Sequence, residues 1–310
     1  MSSATINLAM AEFPARGALP GVDPRAPWQS VTLAMSGFGD ALAHRQILLD
    51  WFEFLGGRPA EVVYVDGGSK LATARRLIAL LHEGLIDKLE LLNPASWENS
   101  FHRCYIQEYQ SGALATRPYI CFVKPDMLPM RRGVDSWLFE DLLLLERPEV
   151  FAITTTHLID PPTRIENGYN VYDFNSLNFS LIKRESFRSA MRGQIGELID
   201  RGFRGEFPGH IRCEEKFRRA LIEWAWQQHC VDHKLVTLAR PESADWTIFH
   251  INKYGRKLLE YRRHFRARHG IEACFDMPKG LYRPPFSGIQ RLGRSLEGVV
   301  RAVRRRVIGG

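Results

Sequence analysis

Hydrophobic and polar positions change period several times along the chain, and the changes outline strands alternating with helices. The run "SVTLAM" predicts a short strand, "GFG" a turn, and "DALAHRQILLDWFEFLGG" a helix closed by paired glycines. "AEVVYVDGGS" follows as a second strand, apolar on both faces as a parallel strand covered by helices must be, and "KLATARRLIALLHEGL" as its helix. A short strand "KLELLN", a helical stretch "SFHRCYIQEYQSGALAT" and a strand "PYICFV" continue the series. Strand then helix, repeated, predicts a Rossmann-like α/β fold: a mostly parallel sheet with right-handed crossovers, flanked by helices. Beyond "EVFAITTTHLI" the regularity loosens, leaving a strand within "DFNSLNFSLIKRESF" and an amphipathic helix within "CEEKFRRALIEWAWQQHC". The expected organisation is a Pro- and Gly-rich mobile arm over 1–27, one α/β domain over 28–255, and a helical extension over 256–310.

Composition refines this picture mainly through charge. The 310 residues are 45% hydrophobic and 25% charged, enough apolar material for one large core. No apolar run approaches the roughly 18 residues of a membrane span, and the opening residues lack the pattern of a secretory signal, so a cytoplasmic protein is expected. Five scattered cysteines with no CxxC spacing read as buried free thiols. The net charge of +7 is uneven: residues 287–310 hold six arginines against Glu297, leaving +2 for residues 1–286. In the same segment Ile289, Leu292, Leu296, Val299, Val300, Val303 and Val307 recur at helical spacing, mostly away from the arginines. A helix over 287–307 fits an anionic membrane surface, placing the protein peripherally at the inner face of the membrane. It equally fits docking on its own domain or a partner. Without interleaved aromatics in that stripe, and without a basic face on the body, no nucleic-acid partner is expected.

Ligands of open α/β sheets sit beyond the carboxyl ends of the strands. The polar residues there are Ser36 in "SGFG", Asp66 in "DGGS", and Lys124 and Asp126 in "KPD". Asp66 beside two glycines suits the edge of a base or ribose, or caps the helix that follows. The order of "SVTLAMSGFG", "EVVYVDGGS", a helix with Arg103, "YICFVKPDML", "NSLNFSLIKRESF" and "CEEKFRRAL" resembles the nucleotide-sugar-binding chain of the GT-A glycosyltransferases, of the inverting family-2 type. "VDGGS" is the best single match; the other motifs persuade through their order.

The resemblance implies a glycosyltransferase that moves a hexose from a nucleotide-diphosphate donor, UDP-linked, to a glycan or lipid-linked acceptor in surface-polysaccharide assembly. Carried over by position, it makes Ser36, Asp66, Arg103 and Lys124 nucleotide-binding. It makes Asp126 the second acid of a metal-binding pair, with His250 after "DWTIF" a later ligand. Glu214 and Glu215 fall where a carboxylate takes the acceptor's proton, Glu215 more often; otherwise they are the acidic first turn of a helix. Lys124 stands where the first acid of the metal pair belongs. Either a divalent ion (Mn or Mg) is held by Asp126, the diphosphate and His250, or the Lys124 ammonium takes over part of its charge. The rivals are a degenerate domain that binds sugar nucleotides or acts as a scaffold, and a nucleotidyltransferase.

Overall fold

The computed structural model describes residues 19–92, 100–133, 137–155, 161–173, 178–192 and 221–271. Arm residues 1–18, the acidic pair Glu214 and Glu215, and the tail from 272 onward, including 287–307, lie outside the described residues.

The first half alternates as its periodicity predicts: β1 (Val31–Gly37), α1 (His44–Leu55), β2 (Glu61–Asp66), α2 (Leu71–His82), β3 (Lys88–Leu91), α3 (Ser100–Ala113) and β4 (Tyr119–Val123). Helix α1 stops at Gly56, whose positive φ of 91° places it in the left-handed region that favours glycine. Strand β1 pairs in parallel with β2 on one side and β4 on the other, setting Gly37 opposite Asp66 and Met35 opposite Val123. The polar turns after these three strands therefore open on one edge of the sheet.

The second half is less regular: β5 (Met127–Arg131), α4 (Trp137–Leu145), β6 (Val150–Thr155), β7 (Arg164–Glu166), β8 (Tyr169–Tyr172), β9 (Phe179–Lys183), α5 (Arg184–Ala190), α6 (Leu221–His233), β10 (Val236–Arg240), β11 (Trp246–His250) and α7 (Gly255–Arg268). Among the described residues the main sheet has nine strands in the order β3-β2-β1-β4-β9-β6-β10-β8-β7. Strand β9 runs antiparallel between β4 and β6, and β8 antiparallel beside β10. The fold is thus mixed α/β with a mostly parallel central sheet flanked by helices. Strands β5 and β11 form a separate antiparallel ladder, with Met127 opposite His250 and Arg131 opposite Trp246. Pro129 breaks the strand pattern of "MLPMR", and it is tolerated because a two-stranded ribbon consists only of edges.

Alternation along β1 divides the core. Leu33 and Met35 pack with Trp51, Phe54 and Trp137 on the α1/α4 face, whereas Ala34 joins Phe122, Phe151, Phe187 and Trp226 on the other. Trp51 stacks on Phe179 at 5.8 Å, and Trp246 of the ladder meets Phe54 at 5.5 Å and Trp137 at 5.8 Å. Leu19 also reaches the first core, so burial begins ahead of position 28. Cys121 and Cys230 are buried free thiols.

Helix α7, the described start of the C-terminal extension, is bound to α1 by charge. The buried Asp50 carboxylate accepts hydrogen bonds from Arg262 at 2.5 and 2.7 Å and from Arg266 at 2.7 Å, and Arg266 also reaches Glu53 at 3.3 Å. Breaking such a group from one side strands charge away from water. Asp50→Ala is expected to lose about 3 kcal/mol in urea unfolding, with amide exchange in α7 accelerating first.

Candidate functional site at the strand ends

Four chain segments converge at the carboxyl ends of β1, β2 and β4. The Gly67 N–H donates to the Gly37 carbonyl at 2.9 Å, the Gly39 N–H to Ser69 Oγ at 2.8 Å, and Thr73 Oγ1 to the Gly39 carbonyl at 2.5 Å. The two glycine-rich turns are thereby pinned together. Gly37 is sterically required, and Gly67 sits in direct contact with a side chain. A methyl on Gly37 would overlap the Tyr64 hydroxyl, and one on Gly67 the Gln107 amide. The fourth segment is the turn from β11 into α7, where Gly255, at φ 56°, lies against Asp40.

Asp66 is buried, and its carboxylate accepts from the Gly68 N–H at 3.1 Å, the Ser69 N–H at 2.7 Å and Ser69 Oγ at 2.5 Å. In this structure the group shapes its own turn ahead of α2, whose N-cap position is Lys70. Ser36 is buried at the end of β1. Arg103 belongs to α3, which packs over β1 and β2; its side chain lies outside the described residues.

Lys124 Nζ lies 3.6 Å from Glu108 Oε1, a buried carboxylate of α3, so its charge is balanced locally. Asp126 and His250, far apart in the chain, are brought side by side: Asp126 Oδ2 is 3.3 Å from His250 Nε2. The ladder accounts for this, since His250 is the register partner of Met127 and the Ile251 N–H donates to the Asp126 carbonyl at 3.3 Å. Among the described residues no group of three or more His, Cys, Asp or Glu side chains is arranged to hold a metal. The Asp126–His250 pair supplies one oxygen and one nitrogen donor, about the separation of neighbouring ligands around an ion with bonds near 2.1 Å, and the rest of such an ion's shell would come from phosphates and water.

Behind Asp126 lies a buried polar dyad that the sequence did not announce. Tyr64 Oη and His44 Nε2 are 2.7 Å apart. Burial drives the His44 imidazole down to about 4, against smaller opposing fields from Asp40 and Asp126. Burial, with the negative charges of Asp66 and Asp126, pushes the Tyr64 hydroxyl well above its ordinary range. Both are therefore neutral at pH 7. Gln107 and Glu108 were also missed: on a helix read only for its apolar face, adjacent polar residues look like solvent-facing ones. Their burial against Gly67 and Lys124 is a property of the packing.

Neither a protein-family model nor a curated protein matches the chain. Solved structures similar to it include the mannosyltransferase PcManGT from Pyrobaculum calidifontis, in complex with GDP-Man and Mn2+, at 17% identity and a TM-score of 0.42. That likeness covers 79% of this chain and 65% of the other. Another is TarS from S. aureus, at 10% identity and a TM-score of 0.40, over 70% of this chain and 36% of TarS. The chain thus spans about two thirds of the first and about a third of the second.

A histidine whose folded pKa is depressed binds its proton more readily when unfolded. The stability from keeping His44 neutral is fully present above about pH 6.5 and is lost as pH falls toward 4. Between pH 7 and pH 5 the wild type should lose on the order of 2 kcal/mol through this group. His44→Gln, compared by chemical denaturation at the two pH values, should show a correspondingly smaller acid loss.

Proposed function

We propose that this chain is a GT-A-type glycosyltransferase that transfers a hexose from a UDP-linked donor to a glycan or lipid-linked acceptor in surface-polysaccharide assembly, with inversion at the anomeric carbon. The observation that carries the reading is the meeting of Asp126 and His250 at 3.3 Å beside the "VDGGS" turn, at the sheet edge where the ordered motifs end. A parallel sheet presents its ligand crevice there.

In this reading the Gly37–Gly39 and Asp66–Ser69 turns let the nucleoside approach the backbone closely, and Ser36, Arg103 and Lys124 border it. Glu215, or Glu214 beside it, accepts the acceptor hydroxyl's proton as that oxygen forms its bond to the anomeric carbon. The bond from that carbon to the diphosphate breaks, and the electron pair leaves with the nucleoside diphosphate. Asp126 and His250 would hold a divalent cation, Mn or Mg, which when bound offsets the charge gathering on the departing phosphate. Because Lys124 is already balanced by Glu108, it is the weaker candidate for that task. The same lysine is what favours the second reading, a domain that binds sugar nucleotides without turning them over. The tail over 287–307 is proposed to meet an anionic membrane from the cytoplasmic side.

The test is turnover of a sugar-nucleotide panel with and without Mn2+. Glu215→Gln should bind donor as the wild type does while transferring about 100- to 10,000-fold more slowly. Asp126→Ala should lose Mn2+-dependent donor binding, measured calorimetrically. Turnover by Glu215→Gln within threefold of wild type would move the base to Glu214. Donor binding by the wild type with no turnover on any acceptor would favour the second reading.

A further inference from the structure

The body of the protein is not evenly neutral. Residues 251–286 hold nine basic and three acidic side chains, so the +2 of residues 1–286 leaves −4 on residues 1–250. Most of that basic excess lies on α7 and the turn before it: Lys253, Arg256, Lys257, Arg262, Arg263, Arg266 and Arg268 face only Glu260. Arg262 and Arg266 are spent on Asp50 and Glu53. The others point elsewhere.

Helical geometry sorts them. Leu258, Arg262 and Arg266 turn toward the domain, whereas Lys257, Tyr261, His264 and Arg268 fall on one line along the opposite side, and all four are exposed. Aromatic rings flank this line. Tyr261 is 48% exposed, Tyr254 just before the helix 51%, and Phe249 51%, its ring stacked on Phe265 at 6.4 Å. Exposed aromatic rings set among lysines and arginines suit the boundary between headgroups and acyl chains, where the ring enters and the cation meets phosphate.

A single strand of nucleic acid would instead want a basic groove. The cleft beside α7, about 680 Å³ and lined by Gln46, Arg262, Arg263, Arg266 and Gly270, has two of its three guanidinium groups neutralised by Asp50 and Glu53. Among the described residues, Arg263 of that cleft and the basic groups on the outer line of the helix have no acidic partner. We propose that this face of α7, with Phe249 and Tyr254, docks the protein on an anionic lipid bilayer. Strand β11 joins the two surfaces directly, since His250 belongs to the crevice and its neighbour Phe249 to the docking face. The proposal stands apart from the transfer chemistry, and from any contribution of residues 287–307.

The full chain should sediment with vesicles of equal parts phosphatidylglycerol and phosphatidylcholine at low salt, and not with phosphatidylcholine alone. Each basic residue near an anionic surface multiplies binding about fivefold. The double variant Lys257→Gln/Arg268→Gln, with the tail intact, should therefore bind about twenty-five-fold more weakly. Tyr261→Ser should lose severalfold, including the part of the binding that survives added salt. Should the double variant melt early, single changes at the same positions carry the test, each lowering partitioning about fivefold with an unchanged melt. Wild-type partitioning by the variants overturns the proposal, as does binding of the full chain to a single-stranded RNA oligonucleotide but not to vesicles.

Discussion

The antiparallel ladder between β5 and β11 is the constraint on which the site depends. Its five paired positions tie the residues just after β4 to a strand more than a hundred residues later, and its end sets Asp126 against His250. What keeps the ladder in register is hydrophobic. Trp246 is buried among Phe54, Trp137 and Phe179, and Ile248, Met127 and Met130 are buried with it. A slip of one residue would turn Trp246 and Ile248 out of the core and Phe249 into it, so burial fixes which residues meet at the crevice.

Around that ladder the polar groups divide between shaping and chemistry. Asp66, Ser69, Thr73 and Gly39 hold the turns to one another, and the His44–Tyr64 dyad fills the space behind Asp126 with neutral polar atoms. A neutral backing adds no charge of its own behind the Asp126 carboxylate. Lys124 and Glu108 form a neighbouring pair whose charges cancel. Lys124 of "KPD" therefore does not add a free positive charge to the crevice; it comes with a buried carboxylate on α3.

The first half of the fold was legible because β1, β2 and β4 are largely apolar runs and the helices between them amphipathic, so period separates them. In the second half the signal fails for identifiable reasons. Pro129 interrupts β5, the β7–β8 hairpin is short and carries charged Arg164 and Glu166, and β9 is inserted antiparallel between β4 and β6, a pairing no local pattern encodes. Asp126 and His250 could be named from the motif order, but their contact is written in the ladder register. Gln107, Glu108, His44 and Tyr64 were not legible, since polar residues on amphipathic helices and strands become site residues only once packing buries them. The basic face of α7 was hidden for another reason: averaged over residues 1–286 its charge is cancelled by the acidic remainder.

The central claim, that Asp126 and His250 hold a cation against a nucleoside diphosphate in the strand-end crevice, is tested most directly by anomalous diffraction at the manganese edge. The crystal should be soaked with Mn2+ and a UDP-sugar. The account predicts one strong peak between the Asp126 carboxylate, the His250 Nε2 and the diphosphate, with the uridine lying along the Gly37 and Gly67 turns. A diphosphate bound against Lys124 with no manganese beside it, or nucleotide density elsewhere on the molecule, would contradict it.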